Sequence, residues 1–338
     1  AVRARTAAGL AAFFAGQAGA ARTALAGAVR RARAADLGHL LGPALGLLGY
    51  LVATSGGDRR AEGLALLEEA NAHNRAIGDA YALFDSLVNV GNVHLASGRY
   101  RDAAPAFAEG LTLIEQLNFH VERAFGHLNL GSAWLELGDL AGARAQAKEA
   151  LHWARKQGRR FPEGFAQALQ GAARMQQGEW AEGLADTAAG LDTARAIANK
   201  YLELAVLPYR LEALLAVHDL AGLEAGLGAA RRLAAESKSD EHAGHFDRLA
   251  AALRVRERHP AAGPALRALV AAARAAGEAG GLAHALRWRA EHRLSRGDRA
   301  GSLEDVAEAC PLAAAEGLTV LTAELRLLAG LASEDRSS

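Results

Sequence analysis

Two pairs of histidines are the residues of this chain whose types and spacing could do chemistry. His242 and His245 are three residues apart beside Asp240 and Glu241, so a helix would place both imidazoles on one face. Such a pair can hold a metal ion when a third ligand is near. No third ligand follows at a useful spacing. We interpret the pair as the polar start of a helix, and metal binding stays an open alternative.

The second pair, His284 and His292, lies among the charged residues Arg287, Arg289 and Glu291. A histidine beside a glutamate can act as a general acid or base in a hydrolase. The sequence lacks the phosphate-binding GxxxxGKS/T loop, the GxSxG elbow, HExxH and CxxC, and no GxGxxG follows a strand. We interpret both histidines as solvated or capping residues and expect no enzyme activity, no catalytic residue, no bound metal and no cofactor.

Charge and cysteine content narrow the class of protein. Lys plus Arg and Asp plus Glu both number 38, and a chain without net charge is a poor candidate for a nucleic-acid partner. The single cysteine, Cys310, gives neither a disulfide framework nor a zinc cluster, which favours a cytoplasmic protein. The uncharged stretch 37–57 contains several glycines and Pro43, which favours a buried helix over a membrane span.

Residues that can end helices recur about every 40 positions. The first series is Gly16, Gly57, Gly98, Gly138, Gly178, His218, His259 and Gly297. A second series, half a period out of phase, is Gly38, Gly78, Asn118, Gly158 and Asn199. Gly and Asn tolerate the left-handed conformation that closes a helix, so both series predict helix ends. An aspartate that can cap the next helix follows four of these turns, at Asp58, Asp139, Asp219 and Asp298.

The segments between these turns have helical spacing. After Gly98, one apolar stripe consists of Tyr100, Ala103, Ala104, Phe107, Leu111 and Ile114. Two such helices joined by short turns must lie antiparallel, and successive pairs must stack because a lone pair cannot bury both faces. The sequence therefore predicts an all-α fold, a right-handed α-solenoid of about eight antiparallel helix pairs that forms one domain over 1–338.

The period divides the chain into predicted repeats. Their bounds are 1–38, 39–78, 79–118, 119–158, 159–199, 200–239, 240–280 and 281–317, followed by a capping helix at 318–332 and a disordered tail at 333–338. Because the chain begins with Ala1, we expect it to be part of a longer protein.

Small residues around the turns carry a resemblance to a known family. Gly91 precedes Gly98 by seven residues, and Tyr100, Ala103 and Gly110 follow it by two, five and twelve. This pattern resembles the tetratricopeptide repeat, although the units here are about 40 residues long rather than 34. Such long units are similar to those in the C-terminal sensor regions of bacterial signal-transduction ATPases and MalT-like transcription activators. They also resemble those of peptide-sensing regulators of Gram-positive bacteria.

The resemblance implies a concave groove lined by the first helix of each pair, with contacts six and nine residues before the loop glycine. Those positions hold Asn92 and Asn89, Ser132 and Asn129, Ala172 and Leu169, Glu212 and Tyr209, and Glu291 and Trp288. Asn89 and Asn129 are expected to form a polar ladder. The ladder could bind an extended peptide backbone, or it could serve structural hydrogen bonds between helices, and both alternatives stay open.

These patterns lead to one preferred function and two alternatives. We expect a non-enzymatic scaffold that holds a protein or peptide in the groove, as the regulatory or sensor region of a larger bacterial signalling or transcription-regulatory protein. A nucleotide-binding or DNA-binding module, N-terminal in the same full-length chain, is the second expected partner. The alternatives are a small-molecule sensor with a pocket around Asn92, Ser132, Trp134 and Tyr209, and a free-standing assembly adaptor.

Overall fold

The computed structural model describes residues 1–15, 17–55, 59–237 and 243–333. These residues form seventeen α-helices and no strand, which confirms the predicted all-α solenoid. The helices are α1 Val2–Phe14, α2 Ala18–Ala34, α3 Gly38–Thr54, α4 Arg60–Ile77, α5 Ala80–Ala96, α6 Tyr100–Gln116, α7 His120–Leu137, α8 Leu140–Lys156, α9 Arg160–Gln176, α10 Trp180–Ala196, α11 Lys200–Ala216, α12 Leu220–Ser237, α13 Ala243–Arg256, α14 Ala262–Ala276, α15 Ala279–Ser295, α16 Arg299–Glu316 and α17 Thr319–Ser333. None of these helices is long and apolar enough to cross a membrane.

The helices end at residues with positive φ that recur every 20 positions. Through the middle of the chain these residues are Gly78, Gly98, Asn118, Gly138, Gly158, Gly178, Ala198 and His218. Towards the C-terminus they are Arg258, Gly277, Gly297 and Gly317. One helix and one turn thus take 20 residues, and two helices make the period of about 40 seen in the sequence.

Three predicted turn positions were wrong by one or two residues. The left-handed residue is Asp36, Ala198 or Arg258 where we expected Gly38, Asn199 or His259. Asn199 is instead the cap of α11, because its side chain accepts a hydrogen bond from the backbone N–H of Leu202 at 2.8 Å. The turns expected at Gly16 and Gly57 lie outside the described residues, and so does the cap expected at Asp58.

Aspartate capping is confirmed at the other three predicted sites. Asp139, Asp219 and Asp298 each accept a hydrogen bond from the backbone N–H three residues later, at 2.9 Å. Each bond satisfies one of the N–H groups that a helix start leaves unpaired.

The described chain divides into two compact lobes. The N-terminal lobe comprises residues 1–97 and 102–130, and the C-terminal lobe comprises residues 98–101 and 131–333, both within the described ranges. Buried leucines such as Leu25 and Leu45 form the core of the N-terminal lobe. The C-terminal lobe has one core around Leu211 and Phe246 and another around Leu286. The division into eight repeats stays a proposal.

Small residues allow the paired helices of the C-terminal lobe to approach closely. A Cβ on Gly171 of α9 would lie 2.8 Å from the carbonyl oxygen of Gly183 on α10, and a Cβ on Gly183 would lie 2.9 Å from that of Gly171. These glycines occupy the positions seven before and five after Gly178, where the tetratricopeptide pattern requires small residues. The requirement is therefore steric, because a larger side chain would force the two backbones apart.

The first and last segments of the C-terminal lobe meet. The hydroxyl of Thr319, at the start of α17, donates to the carbonyl oxygen of Leu137 at 2.9 Å across 182 residues of sequence. Nearby, a Cβ on Gly98 would lie 3.5 Å from the Cα of Gly280. The lobe thus closes on itself, and its inner surface becomes the wall of a cavity.

Candidate ligand-binding site

The cavity of the C-terminal lobe has a volume of ≈260 Å³. Its wall consists of side chains from α7, α9, α11, α13, α15 and α17, together with Tyr100 at the start of α6 and Leu318 just before α17. Alternate helices therefore face inward, as the resemblance implied for the first helix of each pair. Stacked antiparallel pairs produce this arrangement, because each pair presents the same member to the inner side.

The cavity crosses the inner helices diagonally. On α7 and α9 the lining residues Glu136 and Gln176 lie two positions before the left-handed turn residue. On α11 Glu212 lies six positions before it, and on α13 and α15 His245 and His284 lie thirteen before it. A rule that fixes one position on every helix can therefore find only part of this site.

Five of the predicted site residues belong to the C-terminal lobe, and two of them line the cavity. Glu212 and Trp288 do so directly. Ser132 is 6% exposed, and its side chain is hydrogen-bonded to that of Tyr209, whose pKa is raised chiefly by burial. Glu291 does not line the cavity, and it forms ion pairs with Arg256 and Arg287.

The other three predicted residues belong to the N-terminal lobe. Asn89 and Asn92 lie on α5, Asn129 lies on α7, and all three side chains are partly exposed. Within the described residues, none of the three makes a side-chain hydrogen bond, so the expected ladder between Asn89 and Asn129 is not hydrogen-bonded directly. Their contact with a ligand stays a prediction.

Sequence reasoning missed most of the charged wall, although it contains an internal repeat. His245 and Arg248 on α13 recur as His284 and Arg287 on α15, at the same distance before the end of each helix. This duplicated His-x-x-Arg pattern is the sequence signal from which these lining residues could have been predicted. The interpretation of His284 as a solvated or capping residue was wrong, because α15 turns it into the cavity.

The expected metal pair cannot be judged as a pair, because His242 lies outside the described residues. His245 faces the cavity rather than open solvent. Within the ranges that the structure covers, no three or more His, Cys, Asp or Glu residues are grouped so as to hold a metal ion.

One chain of contacts links α13 to α11. A guanidinium nitrogen of Arg248 donates to Nδ1 of His245 at 3.1 Å, and Nε2 of His245 lies 3.0 Å from Oε1 of Glu212. Because arginine can only donate, Nδ1 must be the unprotonated nitrogen and Nε2 carries the proton towards the carboxylate. Burial favours a higher pKa for Glu212, but the contact with His245 and the surrounding positive charge lower that pKa overall.

A second carboxyl group in the cavity behaves differently. Burial raises the pKa of Glu136 to about 7, and the negative charge of Glu212 adds to the rise. Arg248 and a hydrogen bond with Tyr100 act in the opposite direction. Glu136 is therefore partly protonated at neutral pH, whereas Glu212 is ionised.

The third charged group, Arg287, lines the cavity beside an aromatic ring. The guanidinium carbon of Arg287 lies 4.0 Å from the centre of the Trp288 ring, within range of a cation–π contact. Its nitrogens lie 3.0 Å from Glu291 and 3.1 Å from Glu324. Two carboxylates thus surround Arg287. Beside it, burial followed by the charge of Arg248 lowers the pKa of His284 to about 3, so this imidazole is neutral.

Taken together, the helices and their stacking define an all-α helical-repeat protein whose fold is similar to that of tetratricopeptide repeats. No protein-family model matches the sequence, and a search of curated proteins finds no match. Among solved structures, the chain is similar to a Rap protein complexed with competence and sporulation factor, with a TM-score of 0.64, 12% sequence identity and 99% of each chain covered. It is also similar to the apo form of RapI, with a TM-score of 0.56, 10% identity, and 86% of this chain and 80% of that chain covered.

Proposed function

We propose that this chain is a non-enzymatic binding scaffold that holds a peptide or protein segment in the cavity of the C-terminal lobe. The observation that carries the proposal is the wall of the cavity, where alternate helices present cationic, anionic and aromatic side chains to one shared space. A few polar groups placed among apolar surface are typical of ligand sites. Arg248, Glu212 and Trp288 are the groups that we expect a bound segment to touch.

Two further observations support a polypeptide ligand. The similar Rap structure holds competence and sporulation factor, and this chain matches it from end to end. In the N-terminal lobe, Asn89, Asn92 and Asn129 present amide groups that bond to no described residue. An amide can donate to a backbone carbonyl and accept from a backbone N–H, so we propose that these residues also contact an extended polypeptide segment.

Peptide selection with matched tryptophan variants tests the proposal. A library of random pentapeptides is passed over the immobilised protein, and the enriched peptides are measured against Trp288→Ala and Trp180→Ala. Trp288 lines the cavity, whereas Trp180 is 50% exposed and lies outside the lining. We expect Trp288→Ala to weaken binding at least tenfold and Trp180→Ala to leave it unchanged. Equal binding by both variants would place the peptide elsewhere, and a failure to enrich any peptide would remove the proposed function.

The setting of this scaffold is a further part of the proposal. We propose that it forms the regulatory or sensor region of a bacterial signalling or transcription-regulatory protein in the cytoplasm, joined to an N-terminal nucleotide-binding or DNA-binding module. The complete reading frame tests the module directly, and cell fractionation tests the location. A reading frame that encodes the repeats alone would leave the free-standing adaptor as the better account.

A small-molecule sensor remains the second candidate, and the size of the cavity favours it. The volume of ≈260 Å³ lies just below the usual range of small-molecule pockets, which is roughly 300 to 1,000 Å³. The pocket first expected around Asn92, Ser132, Trp134 and Tyr209 does not coincide with this cavity, whose wall includes none of the four. A thermal-shift screen with a metabolite library would favour this candidate if a metabolite raised the melting temperature and no peptide was enriched.

A further inference from the structure

The two arginines in the cavity wall differ in their partners. Arg287 lies within 3.1 Å of Glu291 and of Glu324, so its charge is balanced by the protein itself. Arg248 forms no ion pair with any described carboxylate, and its side-chain hydrogen bond goes to the imidazole of His245. An arginine has five N–H donors, and most of those on Arg248 remain available to the cavity.

The carboxylates that could have balanced Arg248 are held by other groups. Glu212 contacts His245 at 3.0 Å, and Glu136 is hydrogen-bonded to Tyr100. A cation in a confined site gains most from a partner that brings both negative charge and two acceptor atoms. The protein does not supply that partner within the described residues.

His284 adds a neutral donor on the same side of the cavity. Its ring nitrogens bond to no described residue, and the positive charge of Arg248 contributes to the lowered pKa of this imidazole. Trp288, one turn after His284 on α15, and Leu249, directly after Arg248 on α13, give the wall an apolar part. The arrangement therefore combines one fork of cationic donors, one neutral donor and an adjoining apolar surface.

We propose that Arg248, assisted by His284, binds a carboxylate group of the ligand. The inference rests on the proposed function, since it names the chemistry of the segment that the cavity holds. Arginine pairs with carboxylates through two parallel hydrogen bonds, and the guanidinium fork matches both oxygens. Because Glu136 and Glu212 share the cavity, a singly charged carboxylate is favoured over a doubly charged phosphate. The carboxylate is either the C-terminus of a peptide or the side chain of an Asp or Glu within it.

Three acetylated pentapeptide libraries separate these sources. The first has free C-terminal carboxylates and no Asp or Glu, the second has C-terminal amides and includes Asp and Glu, and the third has C-terminal amides and neither acid. We expect the wild-type protein to retain peptides from the first or the second library and to bind the third at least tenfold more weakly. Retention of the third library at equal affinity would overturn the carboxylate site while leaving peptide binding intact.

Matched variants on α13 assign the effect to Arg248. Arg248→Gln removes the charge, Arg248→Lys keeps the charge but loses the fork, and Arg254→Gln changes an arginine of the same helix outside the lining. For the retained peptides we expect roughly 10- to 100-fold weaker binding by Arg248→Gln, an intermediate loss for Arg248→Lys and no change for Arg254→Gln. Circular dichroism checks folding, and Arg248→Lys carries the test if Arg248→Gln is unfolded. Binding by either Arg248 variant at wild-type strength would overturn the proposal.

A small probe tests the site without any peptide. N-acetylglycine carries one carboxylate, and N-acetylglycinamide is its neutral counterpart. At neutral pH we expect N-acetylglycine alone to shift the ring resonances of His284 saturably, assigned with His284→Gln, and the shift to vanish in Arg248→Gln. If no library is retained but this shift is seen, peptide binding fails and the carboxylate site stands. If neither probe, or both probes equally, shift His284, the carboxylate site is overturned.

Discussion

Each lobe has a cavity of similar volume, and the two cavities are built in different ways. In the N-terminal lobe a space of ≈280 Å³ lies between the three consecutive helices α2, α3 and α4. Its lining residues run from Arg22 on α2 to Glu62 and Leu66 on α4. In the C-terminal lobe the space of ≈260 Å³ is lined by residues from Tyr100 to Glu324 on seven helices. Cavities of similar volume are thus formed by helices that are consecutive in the sequence in one lobe and by helices that are far apart in the sequence in the other.

The side chains on the inner helices differ as well. Thirteen and ten residues before the left-handed turn residue, α13 and α15 have His and Arg, whereas α7 has Phe125 and Leu128. Buried carboxyl groups follow the same division within the described residues. Glu163 and Asp305 both lie in the C-terminal lobe, and the buried polar residues of the N-terminal lobe include no Asp or Glu. The helix-and-turn frame is therefore common to both lobes, and a few positions on the inner helices decide the chemistry.

Removal of the buried charge should have the largest effect. Asp305 is 1% exposed and lies 3.0 Å from Nε of Arg289 and 3.1 Å from Nη1 of Arg293. Asp305→Ala leaves both arginines without this partner, and we expect a loss of about 3–5 kcal/mol in the free energy of unfolding. Chemical denaturation measures it, with Glu304→Ala as the control because that side chain is 78% exposed. A loss for Asp305→Ala as small as that for Glu304→Ala would show that the buried carboxylate is not required for stability.

The neutral network of the N-terminal lobe should be less sensitive. The hydroxyl of Ser86 donates to Asn71 and accepts from the amide of Asn74 at 3.5 Å. Ser86→Ala leaves these buried amides short of a partner, and we expect denaturation to show a loss of about 1–3 kcal/mol. Ser97→Ala is the matched control, since the Ser97 hydroxyl bonds only to the carbonyl oxygen of Val93 in its own helix. A loss as large as that of Asp305→Ala would contradict the contrast between the lobes.

The carboxyl group in the C-terminal cavity should make stability depend on pH. The pKa of Glu136 is raised from 4.5 to about 7, so between these values the folded protein binds more protons than the unfolded chain. The free energy of unfolding should then fall as pH rises through that window. Glu136→Gln cannot ionise, and above pH 7 we expect it to be more stable than the wild type by on the order of 1–2 kcal/mol.

Denaturation of both proteins from pH 4 to pH 9 measures this difference. Glu212 on α11, Arg248 on α13 and Tyr100 on α6 face the same group and are unchanged in both proteins. Parallel pH profiles would show that Glu136 is not held in its protonated form.

Helix caps should show the smallest effect and no difference between the lobes. Asp79 accepts from the N–H of Ala82 at 3.0 Å in the N-terminal lobe, and Asp219 accepts from that of Gly222 at 2.9 Å in the C-terminal lobe. We expect Asp79→Ala and Asp219→Ala each to cost about 1 kcal/mol, against little for Asp192→Ala, which changes an exposed residue within α10. Unequal costs at the two caps would argue against a common frame.

The comparison also explains how much the sequence could predict. The helices and most of their ends were predictable, because helical periodicity and left-handed turn residues such as Gly138 are properties of a few neighbouring positions. Ala198 and Arg258 were missed as turn residues because neither is a residue type that signals the conformation. Of the residues that line the cavity, only Glu212 and Trp288 were predicted. The prediction used the same two positions on every helix, whereas the cavity crosses the helices diagonally and is lined by different positions on different helices.

By itself, then, the sequence determined the helix content and the 20-residue spacing of the turns, both of which follow from short-range geometry. The inward side of alternate helices was implied by the resemblance to the tetratricopeptide repeat. Only the tertiary structure decided that Arg248 lies in a cavity without an ion pair to any described carboxylate and that Thr319 contacts Leu137 across the lobe. The physical reason is that the small rotations between successive helix pairs add up over the lobe. The total rotation, which brings distant helices together, is not encoded in any local sequence pattern.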